Sequence, residues 1–398
     1  MTPLKLPPID TAKAQMAGLV IGGAALAAAV ILGFTGRADG FFQSYLVSYL
    51  FWAGLSIGSL ALLFLVHLAG GSWGALIVRP LEAAASAVPL FALLFVPIIL
   101  GMGRLYPWTD AAYVASQPTV EAKTLYLNTA FFIVRAVVIF GIFTLGALLY
   151  RNLSKRQDAQ AAGPDAERTG YRMKNLSGLW FVVYVLTMTF AAFDWAMSLT
   201  PTWFSGIYPG IIMAGQVVSA LALMILVMVN LSTKHPTIDK LFTPKRQQDL
   251  GNLLMAVIMF WAYTQVSQLI IQWSNNVVET ASWYVVRFDP TWIGLSAFIL
   301  FFGFFAPFMI LFSRWVKRTR RALSIVAVWA LIVQFINYFW FVVPAFDRPG
   351  FQFTFLDLLL LVGLGGVWVA AYARALAGRN VLPANDPRLV KVVADQHA

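Results

Sequence analysis

Ten separate stretches of this chain are long enough and apolar enough to cross a lipid bilayer as helices. An α-helix rises 1.5 Å per residue, so about 20 apolar residues cross a hydrocarbon core about 30 Å thick. Charged residues make up 11% of the 398 residues, which is too few to cover the surface of a water-soluble protein of this length. We therefore predict an all-α integral membrane protein, a single polytopic domain whose helices occupy residues 14–34, 42–68, 82–102, 125–150, 176–198, 207–231, 250–274, 291–313, 322–343 and 355–376.

The positions of arginine and lysine predict the orientation of these helices. Short loops on the cytoplasmic side of a membrane protein are enriched in both residues. With the N-terminus in the cytoplasm, 22 of the 28 arginines and lysines fall in inner segments, 5 fall in outer segments, and Arg135 lies within a helix. We therefore expect a multi-pass protein of the bacterial inner membrane with both termini in the cytoplasm. The net charge of +11 arises from the cations in these short loops, so we expect lipid and not nucleic acid as the partner.

The chain lacks the residues that most redox centres require. It contains no cysteine, which excludes disulfides, covalently attached haem, thiolate zinc sites and iron–sulfur clusters held by this chain. Of its three histidines, His67, His235 and His397, only His67 lies in an apolar stretch, whereas a membrane haem with two histidine ligands needs two. No phosphate-binding glycine loop, nucleophile elbow or H-E-x-x-H metal motif is present. We expect no metal, no cofactor and no catalytic residue in this chain.

A weak internal similarity relates the second and sixth apolar stretches. Ala53–Gly54, with the leucines and the valine that follow it, recurs as Ala214–Gly215 at a constant offset of 161 residues. These two helices run in the same direction, so a parallel repeat of four helices explains the pattern. Chance similarity between apolar helices is the alternative. The repeat predicts a first four-helix bundle over 42–198 and a second over 207–343, with the first and tenth helices flanking them.

Ionisable groups within membrane helices are costly and are therefore candidates for function. Arg135 is the clearest, because it lies ten residues into the predicted fourth helix, about 15 Å deep and near the midplane. It either pairs with a carboxylate on a neighbouring helix or acts as an electrostatic control point in a proton or quinone path. Asp194, near the outer end of the fifth helix, lies between Phe193 and Trp195 in an aromatic setting.

Two further candidates lie at the predicted inner face. His67 ends the second helix and Glu82 opens the third, with a short connection between them. A histidine and a glutamate on adjacent helices could form an entry point for protons. The alternative is that each makes an ordinary contact at a helix end.

Polar residues also follow one face of the seventh helix. Trp261, Gln265, Gln268 and Gln272 are separated by steps of four, three and four, which places them on the same side, and Glu279 follows beyond the outer end. A polar face should point into the helix bundle and not towards lipid. It either ties helices together by hydrogen bonds or lines a wet half-channel. On these grounds a transporter, a proton-channel subunit and a quinone-handling subunit all stay open.

Several polar and aromatic segments are more specific than the apolar helices around them. They are Ser48–Trp52 with His67, Arg79–Ala84, Phe193–Leu199 with Trp203–Ser205, Met259–Tyr263 with Ser267–Gln268 and Ile271–Trp273, Trp283–Tyr284 with Arg287, and Leu382–Pro383 with Asp386–Leu389. Together they resemble a membrane subunit of bacterial alternative complex III, within the polysulfide reductase membrane-subunit superfamily. The similarity runs from about residue 45 to residue 390 and fits best the smaller, ActF type of subunit.

The resemblance implies ten helices in two four-helix bundles and a place in a quinol:electron-acceptor oxidoreductase of the respiratory chain. Haem c and iron–sulfur clusters are then expected in partner subunits, and the quinol site in a larger homologous membrane subunit. This chain would support assembly and conduct protons. Where the family shows an acidic pair after the seventh helix, this chain has Val278-Glu279-Thr280, which retains one acid. A subunit that itself binds quinone and a stand-alone secondary transporter are the alternatives.

Overall fold

The computed structural model describes residues 9–35, 38–161, 163–275, 277–346, 350–383 and 385–389, with side chains at all of these except Ala38 and Ser72. Within these ranges the chain is helical and contains no strand. Lys5, Arg37, Arg348 and Lys391, which entered the orientation count, lie outside the described residues, as does His397.

The described residues contain ten helices long and apolar enough to cross a membrane, so the chain is a multi-pass membrane protein. This confirms the predicted fold class, while the orientation and the kind of membrane stay predictions. We number the ten helices as spans 1 to 10 in chain order: Ala12–Phe34, Asp39–Ala69, Trp73–Leu100, Thr129–Ala159, Pro164–Leu199, Tyr208–Lys234, Pro244–Ser274, Ile293–Phe312, Arg320–Ala345 and Phe355–Leu376.

Two spans are built from shorter pieces. Span 3 is divided by prolines into three consecutive helices, because proline cannot donate the backbone hydrogen bond that an uninterrupted helix needs; these are Ser72–Ala85, Val88–Leu93 and Val96–Leu100. Span 8 contains a π-helical segment, Phe301–Phe305, between Ile293–Leu300 and Ala306–Phe312.

Short helices fill most of the connections. They are Met102–Leu105, the 3₁₀ turn Pro107–Thr109, Ala111–Ser116 and Pro118–Glu121 before span 4, Pro236–Leu241 before span 7, Val278–Phe288 before span 8, and Arg314–Arg318 before span 9. Spans 5 and 9 each end in a 3₁₀ turn, at Met197–Leu199 and Val343–Ala345.

Several helices extend beyond their predicted ends. The segment 151–175, predicted as a long inner connection, is largely helical, because spans 4 and 5 continue to Ala159 and start at Pro164. Charged residues outside the bilayer face water and do not stop a helix. Span 3 likewise begins before residue 82, so Glu82 lies within the helix Ser72–Ala85 and not at its start. Span 4 begins at Thr129, four residues later than predicted, after the N-cap Asn128.

Spans 2 and 6 form the centre of the molecule. Span 2 packs against spans 3, 5 and 6, and span 6 packs against spans 7 and 9. Small residues allow this close approach: a Cβ added to Gly58 would lie 2.4 Å from the backbone oxygen of Gln216. The division into two four-helix bundles stays a prediction, since these central helices form one continuous interface.

Spans 1 and 10 pack against each other at the periphery. A Cβ added to Gly22 of span 1 would lie 2.8 Å from the backbone nitrogen of Val367, and one added to Gly366 would lie 2.5 Å from the Cα of Gly22. Span 10 begins with a capping box, in which the carboxylate of Asp357 accepts from the backbone and hydroxyl of Thr354. Asp357 is 1% exposed, so it caps its own helix and does not reach interfacial water.

Candidate functional site

The first polar cluster forms where the segment after span 10 crosses the ends of spans 2, 3 and 4. Glu82 accepts from both Arg79, at 3.0 Å, and Arg379, at 3.2 Å. Asp158, near the end of span 4, pairs with Arg79 and lies 3.9 Å from Arg379. Two carboxylates thus balance two guanidinium groups, and we call Arg79, Glu82, Asp158 and Arg379 the ion cluster. Glu82 is 2% exposed and is held by its partners, which differs from the open proton acceptor that the sequence suggested.

His67 is held by the same C-terminal segment. Arg388 Nη2 lies 3.3 Å from His67 Nδ1, and Arg388 also donates to the carbonyl of Val66 at 3.0 Å. Because arginine only donates, Nδ1 must accept and the proton of the neutral ring lies on Nε2. Nε2 is buried and has no hydrogen-bond partner among the described residues. The predicted neighbours His67 and Glu82 therefore lie at one end of the bundle, but each has its own arginine from beyond span 10.

A cavity of about 270 Å³ connects His67 with the surface. Its polar lining comes from Glu167, Tyr171 and Lys174 of span 5 and from Asp386 and Arg388. The three span 5 residues are exposed at the end of their helix. Water can therefore approach the buried imidazole through this cavity.

The pKa values of this segment reflect its buried charges. Burial alone would raise the pKa of Asp386, but the hydrogen bonds and charge of Arg388 outweigh burial and lower it below its ordinary value. Asp386 accepts from Arg388 at 2.7 Å. Burial lowers the pKa of Arg379, and the neighbouring Glu82 partly opposes that effect. The carboxylate of Asp386 therefore stays charged near neutral pH and keeps its ion pair with Arg388.

Arg135 and Asp194 form a second polar site, on spans 4 and 5. Arg135 Nε and Nη2 donate to the two carboxylate oxygens of Asp194 at 2.7 and 2.9 Å, and Nη1 donates to the carbonyl of Tyr126 at 2.9 Å. The guanidinium also lies 3.8 Å from the ring centre of Tyr126 and 4.4 Å from that of Phe131, where cation–π attraction adds to the ion pair. The carboxylate partner that the sequence left unnamed is thus Asp194.

The depth of Arg135 differs from the prediction. Span 4 begins at Thr129, so Arg135 lies about two turns from the start of the helix and not near its middle. Asp194 is correspondingly close to the end of its own helix, which ends at Trp195. The ion pair therefore lies towards one end of the helices. Asp194 is only 1% exposed there, so its carboxylate is shielded from water.

The glutamine stripe of span 7 ties neighbouring segments together. Gln272 accepts from Trp203 Nε1 at 2.9 Å and donates to the carbonyl of Phe204, and Gln268 accepts from Ser205 at 2.7 Å. Gln265 donates to Asn337 of span 9 at 3.2 Å. Each glutamine makes at least one hydrogen bond to another helix or to a loop, which is what the interpretation as a link between helices requires. Glu279 is exposed in the first turn of Val278–Phe288, beyond the end of span 7.

Arg287 is a functional candidate that the sequence analysis counted as a loop cation and included in a segment that carries the resemblance, without predicting its burial. It is 1% exposed, and its guanidinium lies 3.4 Å from the ring centre of Trp283. It donates to the carbonyls of Trp283, Trp340 and Phe341, and no carboxylate among the described residues pairs with it. Burial lowers the pKa of Arg287 to about 9, so it stays cationic near neutral pH. The aromatic residues around it were the only signal in the sequence.

A buried polar contact between spans 5 and 6 was also missed. Tyr184 donates to Gln216 at 3.1 Å, and both side chains are buried. Tyr184 is ten residues before Asp194, about 15 Å along the helix. This contact therefore lies between the Arg135–Asp194 pair and the end of span 5 that carries the His67 cavity. Nothing in the spacing of these residues distinguishes them from other polar residues in apolar helices.

The described residues contain no group of three or more histidine, cysteine, aspartate and glutamate side chains placed to hold a metal ion. No protein-family model matches the chain, and no curated protein sequence matches it. The proposed function therefore rests on the geometry of the polar clusters and on the resemblance of individual segments.

Proposed function

We propose that this chain is a non-catalytic integral membrane subunit of a quinol-oxidising respiratory complex of the alternative complex III type, with a role in proton conduction. The observation that carries the proposal is that the segments bearing the resemblance are joined by buried polar contacts. Arg388 contacts His67, and Trp203 contacts Gln272, each across a long distance in sequence. The chemistry of electron transfer then belongs to partner subunits that carry haem c and iron–sulfur clusters.

The proton role is supported by where the titratable groups lie. The ion cluster and His67 are at one end of spans 2 to 5, and Arg135–Asp194 is towards the other end. Asp158 and Arg135 are 23 residues apart on span 4, which corresponds to about 35 Å. Tyr184 and Gln216 lie between these ends. Water molecules are needed to connect groups so far apart, because each hydrogen bond reaches only about 3 Å.

The side chains at these sites differ in whether they can take up and release a proton. Imidazole and carboxyl groups such as those of His67 and Glu82 are the kinds of group that exchange protons, whereas the guanidinium groups of Arg79, Arg135 and Arg379 only donate hydrogen bonds and hold the carboxylates in place. The glutamines of span 7 can order water but cannot relay a proton by changing charge. We therefore assign the proton path to spans 2 to 5, with entry through the His67 cavity, and we assign Gln265, Gln268 and Gln272 a holding role.

Purification of an affinity-tagged chain from its native membrane tests the assignment to a complex. A subunit of such a complex should co-purify in fixed ratio with chains that give a c-type haem spectrum and contain iron–sulfur clusters. The rival transporter should instead emerge as a monomer or homo-oligomer. Recovery of the intact, folded chain without any redox-active partner, under detergent conditions that keep other respiratory complexes whole, would overturn the proposal.

A further inference from the structure

A small cavity lies at the centre of the molecule, between spans 2, 5, 6 and 9. It leaves about 10 Å³ for the centre of a water molecule, and one bound water needs roughly 10–15 Å³ of such space. Every residue that lines the cavity is buried, and three of them carry polar side-chain atoms: Trp195, Gln216 and Tyr338. The cavity therefore has room for a single molecule of about the size of water.

Two polar atoms in this lining have no hydrogen-bond partner among the described residues. They are Trp195 Nε1 and the hydroxyl oxygen of Tyr338, and the two residues are 2% and 3% exposed. The hydroxyl of Tyr338 lies near the side-chain amide of Gln216 but without the geometry of a hydrogen bond, and Gln216 accepts from Tyr184 instead. Buried polar groups normally have a partner, because an unpaired one is costly away from water. Both atoms therefore call for a partner that the surrounding helices do not supply.

Gly54 of span 2 leaves space beside the hydroxyl of Tyr338. A Cβ at Gly54 would lie 2.8 Å from that hydroxyl oxygen and 3.4 Å from Gln216 Nε2, so a larger residue would occupy the polar part of the cavity. Its counterpart in the internal repeat, Gly215, has the same relationship with span 9, because a Cβ there would lie 2.7 Å from Gln334 Oε1. Both glycines of the repeat thus make room for a polar side chain of span 9.

The chemistry of the lining decides what the cavity can hold. Trp195 Nε1 only donates, so the occupant must accept a hydrogen bond, which excludes metal and ammonium cations. None of the described residues that line the cavity is charged, so a buried anion would lack a counter-charge there. An apolar molecule would leave both polar atoms unpaired. The occupant that meets these conditions is neutral, small and able both to accept and to donate.

We propose that this cavity is a binding site for one ordered water molecule, which accepts from Trp195 Nε1 and bonds the hydroxyl of Tyr338. A buried water typically makes about three hydrogen bonds, and Gln216 offers a third polar side chain in the same lining. The water links span 5 to span 9 across the face of span 2 that carries Gly54. The inference goes beyond the proposed function and does not rest on it, because a stand-alone transporter with this structure would need the same water.

X-ray radiolysis of the purified full-length chain in nanodiscs tests the inference without any variant. Hydroxyl radicals formed from a bound water oxidise the side chains beside it, even where bulk solvent does not reach. Tyr338 should therefore be oxidised several-fold faster than Tyr49, which is 0% exposed and whose hydroxyl already donates to the carbonyl of Phe91. Equal oxidation rates for the two tyrosines, measured by mass spectrometry, would overturn the inference.

Replacement of Tyr338 gives an independent measurement, because a bound and an unpaired hydroxyl predict changes of different sign. Tyr338→Phe removes only the hydroxyl, so the loss of its bond to water should lower the thermal midpoint in detergent by about 1–2 °C. Tyr49→Phe, which also loses one hydrogen bond, is the matched control and should show a similar fall. A midpoint that stays the same or rises in Tyr338→Phe would show that the hydroxyl was unpaired and would contradict the inference.

A third variant removes the space for water. Ala192 lines the cavity and is 1% exposed, so Ala192→Val should displace the water and bring the oxidation rate of Tyr338 down to that of Tyr49. Circular dichroism and size-exclusion profiles establish that the variant is folded. Fast oxidation of Tyr338 that persists in folded Ala192→Val would count against a water in this cavity.

Discussion

Arg388 Nη2 lies 3.3 Å from His67 Nδ1, although the two residues are 321 positions apart. The same arginine holds Asp386 at 2.7 Å, and both carboxylate oxygens of Asp386 accept from it. The segment after span 10 is thereby fixed to the end of span 2 by hydrogen bonds from Arg388, and its own Leu382 and Leu389 are buried. The contact gives His67 a defined tautomer and makes the environment of this residue depend on a distant part of the chain.

The docking of this segment should depend on pH through Asp386. The pKa of Asp386 is lowered in the folded protein, so its stabilising contribution is present above the ordinary value of about 3.9 and is lost as pH falls through the lowered value. The thermal midpoint of the wild-type chain in detergent should therefore exceed that of Asp386→Asn at pH 6, and the gap should close below about pH 4. A gap that stays constant down to pH 3 would show that the charge of Asp386 does not matter.

Removal of Arg135 should destabilise the chain more than removal of both ion-pair partners. Arg135→Leu leaves the carboxylate of Asp194 buried without its cation, which costs about 3–5 kcal/mol in comparable pairs. The double variant Arg135→Leu/Asp194→Leu should recover part of that loss. Arg104→Ala breaks an exposed ion pair with Asp39 and should change stability little. Thermal unfolding in detergent measures all of them, and a double variant no more stable than Arg135→Leu would contradict the ion-pair interpretation.

Replacement of Glu82 tests the proton role. Glu82→Gln keeps the shape of the side chain and removes its titrating proton, so quinol oxidation by the assembled complex should persist while charge translocation in liposomes falls. His67→Ala should have the same effect, because His67 lines the cavity through which we place proton entry. His235→Ala, in the connection after span 6, is the control. Unchanged proton-to-electron stoichiometry in both variants, with the complex intact, would leave the two residues structural.

Of two neighbouring glycines in span 1, only one should lose stability when it is replaced by a larger residue. Gly22 lies against the backbone of span 10, whereas a Cβ at Gly23 would meet nothing within 4 Å. Gly22→Leu should therefore separate spans 1 and 10 and lower the thermal midpoint by several degrees, while Gly23→Leu should be close to wild type. Equal midpoints for the two variants would mean that span 1 does not depend on this approach.

The orientation can be tested with single cysteines, because the chain has none. Ser154, within the segment 151–175, is unsuitable because it is 1% exposed. Ala161 and Thr119 are exposed in the connections after span 4 and before it. A membrane-impermeant thiol reagent on intact spheroplasts should label Thr119→Cys and leave Ala161→Cys unlabelled until the membrane is opened. The reverse pattern would invert the assignment of both termini.

The helices were predictable from the sequence, but their ends were not. A run of about 20 apolar residues has a single outcome in lipid, since every backbone group must be bonded within its own helix. Where the chain leaves the bilayer that constraint ends, and spans 4 and 5 continue through charged residues that the sequence assigned to a loop. Span 3 likewise continues through Arg79 and Glu82, because their charges are neutralised within the ion cluster.

Individual residues of the polar sites were easier to predict than the pairs they form. Arg135 and Asp194 were each singled out by charge in an apolar setting, but 59 positions separate them and spacing alone could not pair them. Arg379 and Arg388 were counted as cations that set the orientation, and Arg388 also belonged to a segment that carries the resemblance. Neither was assigned a partner, since a charged residue after a last apolar helix normally faces water. Arg287 was missed for the same reason, and its burial depends on Trp283 and Trp340, which come from different helices.

The ion cluster has a consequence for the order in which the protein is made. Glu82 accepts a hydrogen bond from Arg379, which lies 297 residues later in the chain. At about 5–20 residues per second, a ribosome needs roughly 15–60 s to synthesise those residues. During this interval spans 2 to 5 can enter the membrane and pack, but Arg379 is absent and one end of them stays incomplete. A nascent or truncated chain is therefore chemically distinct from the finished one at Glu82, whose carboxylate then has Arg79 but lacks its second arginine.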